Sequence, residues 1–152
     1  MSVDFYVAVP AVRWPDIVAV RRCVAGHAYP VQIKRFPVLD RQGVTTDGVL
    51  ASIDGKEAYL EGALGPAAAL SDDVRTINDR LAASHAADRI GSHHVLMTMH
   101  LRTPADIRAA GYVISALIVC FDGFGFEPQG DTSGHADFAR SLVAGSEALR
   151  GL

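Results

Sequence analysis

Residues 93–122 hold the pattern that most restricts the fold, because an alternating strand there runs directly into a capped apolar helix. Between His93 and Arg102, apolar side chains fall on every second position, which is the period of a strand with one buried face. The sequence Thr-Pro-Ala-Asp at 103–106 then supplies a helix cap, a proline at the first helical position and an acidic residue three positions after the cap. A helix is therefore predicted over 104–121, with Gly123 in the left-handed conformation that ends it.

This strand and helix also predict the main core. Packing of the helix on the strand would bury the apolar positions on their facing sides: Ile107, Ile114, Leu117, Val95, Met97 and Met99.

The dipeptide Asp54-Gly55 is the sharpest turn signal in the chain. It joins two runs of strand length, 49–53 and 56–60. Both residues tolerate a positive φ, which the two central positions of a type I′ turn require. A β-hairpin is therefore predicted over 49–60.

The remaining strands and helices are predicted from two patterns, alternation for strands and helical spacing for helices. Alternation predicts strands over 4–10, 29–36 and 124–128, and helical spacing of apolar residues predicts helices over 15–26, 71–88 and 136–149. The small residues near 62–70 predict a flexible linker or loop. Both halves run strand, helix, strand and end at Pro37 or Pro128, so a pseudo-repeat of strand–helix–strand units is a hypothesis. The predicted class is α+β: one domain over 1–152, with a mostly antiparallel sheet and helices packed on one face.

Composition places the chain among ordinary globular proteins. It has 152 residues, of which 49% are hydrophobic and 20% are charged, so a sizeable core is expected. No uninterrupted apolar run reaches the roughly 18 residues of a membrane span, and the start lacks the basic region of a signal peptide. Cys23 and Cys120 are too few for a disulfide framework and fall on buried faces of predicted helices. We therefore expect a cytoplasmic protein with reduced, inert thiols and no membrane partner.

Charge is unevenly distributed along the chain. The net formal charge of −3 argues against nucleic acid as a partner, because phosphate binding normally needs clustered Lys and Arg. Residues 40–79 hold eight acidic and three basic side chains. Two interpretations stay open: a solvated polar surface, or a docking surface for a basic protein partner. The second assigns partner binding to five acidic residues: Asp54, Glu57, Glu61, Asp72 and Asp73.

The histidines do not predict a metal site. The one cluster in the sequence is His93, His94 and His100. On a strand, His94 and His100 share a face but lie about 20 Å apart at roughly 3.3 Å per residue. That separation is too great for one ion with ligand bonds near about 2 Å. No metal and no cofactor are predicted, since nucleotide-binding and metalloenzyme motifs are also missing from the sequence.

The segment 121–135 is the best candidate for a catalytic loop. It gathers four side chains that can transfer protons: Asp122, Glu127, Asp131 and His135. A carboxylate and a histidine together can act as general acid and base. The alternative is structural, because Gly123 can end one helix and Thr132 can cap the next. No catalytic residue is assigned on this pattern.

Three stretches together resemble a known group of proteins: the strand leading into Trp14-Pro15, the helix over 107–120, and the sequence FDGFGFEPQG at 121–130. They are similar to small bacterial α+β proteins interpreted as immunity proteins of polymorphic-toxin and contact-dependent competition systems. The resemblance implies a cytoplasmic protein that neutralises a toxin by binding it, without catalysis. It carries over no individual binding residue.

Two hypotheses about function follow. The first is a non-enzymatic binding protein for interbacterial competition, whose partner is a basic toxin domain. The alternative is a small hydrolase that uses the Asp122–His135 loop. The sequence leaves open whether the chain forms a homo-oligomer.

Overall fold

The computed structural model describes residues 2–151, which form eight strands and four α-helices. The strands are β1 (Val3–Pro10), β2 (Gln32–Arg35), β3 (Val49–Ile53), β4 (Lys56–Leu60), β5 (Leu64–Pro66), β6 (His94–Leu101), β7 (Phe124–Glu127) and β8 (Thr132–Gly134). The helices are α1 (Ile17–Gly26), α2 (Ser71–Ala83), α3 (Pro104–Phe121) and α4 (Ala136–Ala148). Each strand and helix predicted from the sequence is present, and β5 and β8 are additional.

The strands form two antiparallel sheets. A five-stranded sheet has the order β5-β6-β1-β7-β8, and a three-stranded sheet has the order β2-β3-β4. β1 and β6 pair along their whole length, from Val3 opposite Leu101 to Pro10 opposite His94. The predicted α+β class, with antiparallel strands and helices packed on the sheet, is confirmed, although the strands form two sheets and not the single sheet expected.

Helix α3 is the centre of the main core. Every residue from Arg108 to Ile118 is buried, and the helix packs against both sheets and against α1 and α4. The predicted core cluster is confirmed, with Ile107 partly buried at its edge. A helix with protein on all sides is apolar all round rather than along one stripe.

By length and composition, α3 would also suffice to cross a membrane. Its mean hydropathy is 1.5, and 61% of it is buried inside the protein. Asp106 and Arg108 interrupt the apolar run in this helix, so the sequence did not predict it as a membrane span. Its packing against both sheets is what a core helix of this composition does.

Helix α2 lies on the opposite face of the five-stranded sheet, whereas the sequence analysis expected all helices on one face. Ile77 and Leu81 of α2 pack in a second, smaller cluster with Leu96, Phe124 and other residues of that sheet. The alternation of β6 explains both clusters, since Leu96 and its neighbour Met97 point to opposite faces. Both faces of the sheet are therefore covered.

The hairpin prediction is confirmed, whereas the predicted loop at 62–70 is ordered as a strand and a turn. Asp54 and Gly55 have φ values of 50° and 75°, and the paired strands run in the predicted register. Leu64–Pro66 forms β5, which pairs with β6, and Ala67–Leu70 forms a 3-10 turn. A Cβ on Gly62 would lie 1.7 Å from the Thr98 carbonyl oxygen, so this glycine permits close strand approach and does not mark a linker.

Among the described residues, three residues other than glycine adopt the left-handed conformation where a helix ends, the first being Ala28 after α1 with a φ of 55°. Asp122 has a φ of 62° after α3, so it takes the role predicted for Gly123. His85, with a φ of 61°, follows α2, which ends at Ala83 and not at residue 88. Asp is one of the few side chains that tolerate this region, because its short polar group can hydrogen-bond locally.

A disulfide joins Cys23 of α1 to Cys120 in the last turn of α3. The expectation of reduced, inert thiols is therefore wrong. The sequence placed both cysteines on buried helix faces but could not show that α1 and α3 pack together and bring their Cα atoms to 6.4 Å. Because disulfides persist in oxidising compartments, the cysteines no longer support a cytoplasmic location, which stays a proposal.

Candidate functional site

The acidic residues predicted to bind a partner are mostly paired with basic side chains of the same chain. In the three-stranded sheet and just after it, the pairs are Asp54 with Arg108 at 2.5 Å, Glu57 with Lys34 at 4.0 Å, and Glu61 with Arg102 at 2.5 Å. Asp72 lies 2.6 Å from Arg75 within α2. Asp72 and Asp73 stand in the first turn of α2, on the far face of the five-stranded sheet. The five acids therefore lie on two separate layers of the fold, and four of them face a compensating charge.

Asp54 has a structural role, because its ion pair with Arg108 connects the hairpin to α3. The Arg108 side chain is only 6% exposed, and its Nε donates to the Ser146 carbonyl oxygen at 3.0 Å. The hydrogen bond from Arg108 lowers the pKa of Asp54 below its ordinary value of 3.8. A buried arginine on α3 had no signal in the apolar periodicity, so the sequence analysis interpreted Asp54 as a free surface acid.

The same helix places Tyr112 beside α4. Its hydroxyl donates to a carboxylate oxygen of Glu147. Burial, followed by this carboxylate, raises the pKa of Tyr112 to about 12. Tyr112 is therefore a structural hydrogen-bond donor and not a proton-transfer group near neutral pH.

Two carboxylates of the predicted catalytic loop bond to groups of the loop itself or of a neighbouring helix. Asp131 forms an ion pair with Arg80 of α2 at 2.6 Å. Glu127 Oε2 accepts the Gly130 N–H at 2.8 Å. These bonds hold the β7–β8 connection in place, which matches the structural interpretation of the segment.

The hydrogen-bond partner of His135 lies outside the predicted loop. Its Nε2 lies 2.8 Å from Asp88 Oδ1, and its ring contacts Phe124. The buried ring of His94 meets Phe124 edge-on, and its Nδ1 accepts the Gly91 N–H at 2.8 Å. Burial lowers the pKa of His94, so this imidazole is neutral near pH 7.

An open apolar cleft lies between the segment after β1 and the segment after β2. We call it the Trp14 cleft; its volume is about 300 Å³, and the charged residues Asp16 and Arg41 line it together with apolar residues that include Trp14, Pro15, Phe36, Pro37, Val38 and Leu39. The Trp14 and Phe36 rings stack with centroids 5.4 Å apart. Asp16 caps α1 by accepting the Ala19 N–H at 2.8 Å, which fixes the start of the helix beside the cleft.

One apolar side chain that lines the Trp14 cleft is largely exposed to solvent. Val38, which lines it, is 83% exposed, and Val12, in the turn before Trp14, is 86% exposed. Trp14 Nε1 is buried and has no hydrogen-bond acceptor within the described chain. Unpaired buried donors are rare in native proteins, and apolar side chains grouped at one place on the surface typically mark interaction sites.

The sequence analysis missed this cleft because its residues lie in irregular segments without periodicity. A signal was present, however, in the two aromatic–proline pairs, Trp14-Pro15 and Phe36-Pro37. They were interpreted separately, as a helix start and a strand end. Only the tertiary structure brings them side by side.

Comparisons with known proteins do not identify a relative. No protein-family model, curated protein or solved structure gave a significant match to this chain. The resemblance to immunity proteins therefore gains no support from them, and the function is argued from the geometry.

Proposed function

We propose that this chain acts without catalysis, as a binding protein that receives an apolar segment of a protein partner in the Trp14 cleft. The observation that carries the proposal is the largely exposed Val38 in a cleft lined by the stacked rings of Trp14 and Phe36. In line with the resemblance to immunity proteins, we propose a bacterial toxin domain as the partner. The Trp14 cleft replaces the acidic residues as the proposed surface, because most of those acids are already paired with cations of the chain.

The physical gain from covering this cleft is substantial. Fully burying a valine side chain is worth about 1.5–3 kcal/mol, and Val38 is more than four-fifths exposed. Tryptophan is among the side chains most often found at the energetic centre of interfaces.

The test compares the two surfaces directly. A partner is first captured from the native host and identified, and its affinity is then measured with purified proteins. We expect Val38→Asp to weaken binding at least about tenfold, since a buried unpaired charge in an interface is strongly unfavourable. The matched control is the double reversal Asp72→Lys and Asp73→Lys, which should leave the dissociation constant nearly unchanged.

In the opposite pattern, the double reversal loses binding and Val38→Asp keeps it. That result would show that the acidic residues form the interface. A wild-type chain that runs as a dimer in light scattering, and a Val38→Asp chain that runs as a monomer, would instead show that a second copy covers the cleft. Either result contradicts the proposal.

A second candidate function rests on the His135–Asp88 pair. A carboxylate that orients an imidazole is the arrangement of a general base, and the alternative hypothesis of a small hydrolase would use it. Among the described residues, no serine, threonine or cysteine side chain hydrogen-bonds to either member, so water would have to be the nucleophile. Turnover in a hydrolase screen that is lost in His135→Ala but kept in His100→Ala would favour this function over binding.

A further inference from the structure

Three side chains that bind zinc in proteins meet where α1 passes the end of α3. The Sγ atoms of Cys23 and Cys120 and a ring nitrogen of His27 all lie within 4.8 Å of one another. Within the described residues 2–151, this is the one group of three such ligands at that separation.

The local structure explains why these three converge. Cys23 and His27 are four positions apart at the end of α1, so they project from the same side of the helix. The His27 ring stacks on Tyr29, with centroids 5.3 Å apart. Arg13 Nη2 donates to the Cys120 carbonyl oxygen at 3.1 Å and holds the last turn of α3 in place. The ligands therefore come from two packed helices and not from one loop.

We propose that Cys23, His27 and Cys120 form a redox-gated zinc site, which binds Zn²⁺ when the cysteines are reduced and is closed when they form the disulfide. Two thiolates and an imidazole are a ligand set that zinc prefers. Two thiolates also neutralise the charge of Zn²⁺ in a site where the Cys23 side chain is almost fully buried. Three protein ligands leave the fourth tetrahedral position for water, on the side where His27 is exposed to solvent.

Reduction of the Cys23–Cys120 disulfide requires an external dithiol as the reductant. The dithiol supplies two electrons and two protons, so the Cys23–Cys120 bond breaks, two thiols form, and the dithiol closes to its own disulfide. Zn²⁺ then displaces the two thiol protons as two Zn–S bonds form. Zinc–sulfur bonds of about 2.3 Å place the two sulfurs about 3.8 Å apart in a tetrahedral site. The movement required is small, because the helices already hold all three ligand atoms close together.

Cobalt provides the probe for this site, because thiolate-bound tetrahedral Co²⁺ has a charge-transfer band that other coordination lacks. The full chain is reduced with a dithiol, exchanged into reductant-free buffer without oxygen, and titrated with Co²⁺ and then with Zn²⁺. We expect one metal ion per reduced chain, confirmed as one zinc by native mass spectrometry, and none on the oxidised chain.

His27→Ala separates this site from simple chelation by two thiols. We expect zinc affinity to fall at least about tenfold, since even outer-shell partners of zinc ligands contribute roughly 10–100-fold. His93→Ala, the same change at another exposed histidine, should leave zinc affinity unchanged. Both histidines are exposed, so neither substitution should unfold the protein.

The proposal is overturned if the reduced wild-type chain shows no thiolate–cobalt band, including the case in which it has lost its native circular dichroism. It is equally overturned if His27→Ala binds zinc as tightly as wild type, or if the oxidised chain binds zinc with the same stoichiometry.

Discussion

Replacing Leu117 by alanine should lower the free energy of unfolding by about 3–4 kcal/mol. Leu117 is fully buried on α3, in the cluster that includes Val95, Met97 and Met99. Loss of three carbon atoms forfeits about 2.4 kcal/mol of transfer free energy, at roughly 0.8 kcal/mol for each. Because α3 is held by both sheets and two helices, the site cannot collapse, and the remaining cavity adds about 1 kcal/mol.

Urea unfolding measures this loss directly, with the fluorescence of the single tryptophan as the signal. In thermal melts the same loss corresponds to a decrease in Tm of about 6–16 °C for a chain of this length. Val119→Ala is the matched control on the same helix, because Val119 is 41% exposed; it should cost less than about 1 kcal/mol. Our reasoning about the core is refuted if Leu117→Ala costs no more than Val119→Ala.

Four further outcomes are expected. Gly55→Val should lower the free energy of unfolding, measured in urea, by about 1–3 kcal/mol, because Gly55 has a φ of 75°. Gly55→Asn should lower it much less. Equal losses for the two variants would contradict an origin in backbone strain. Gly111→Ala should cost about 1–3 kcal/mol, since its Cβ would lie 2.0 Å from a serine hydroxyl of α4. Gly145→Ala in α4 meets no atom within 4 Å and should stabilise by about 0.5–1 kcal/mol; a loss there would contradict the packing. Finally, the pKa of Asp54 is lowered by Arg108, so the ion pair stabilises the fold above the unfolded value of 3.8 and is lost as pH falls through the lower folded value. Asp54→Asn should therefore be less stable than wild type at pH 6 and equally stable well below pH 3.8; a difference that persists in acid would contradict this.

The elements that the sequence predicted well are those whose signals are local. The cap at 103–106 and the apolar spacing after it fix α3 without reference to any other segment. The Asp54-Gly55 turn likewise follows from the φ values that these two residues tolerate. Alternation in β6 assigned the correct residues to the main core, because neighbouring side chains on a strand must point to opposite faces.

The surroundings of the candidate sites could not be predicted from the sequence, because they depend on which segments meet in space. The local excess of acidic residues over 40–79 is visible in the sequence. The ion pairs of Asp54 and Glu61 are not, since Arg108 and Arg102 come from distant parts of the chain. His135 was grouped with the carboxylates nearest in sequence, whereas the structure pairs it with Asp88. The Trp14 cleft arises from two irregular segments, for which no periodicity exists.

By itself, the sequence determined the α+β class, the hairpin and the apolar helix at the centre of the core. These depend on backbone conformation and on the burial of one face, which residues close in sequence specify. The tertiary structure alone decided that α2 covers the second face of the sheet, that Cys23 and Cys120 are joined beside His27, and that Trp14 and Phe36 share a cleft. The physical reason is that such contacts depend on how helices and sheets pack across long chain separations, and the pattern within one segment does not encode its partner.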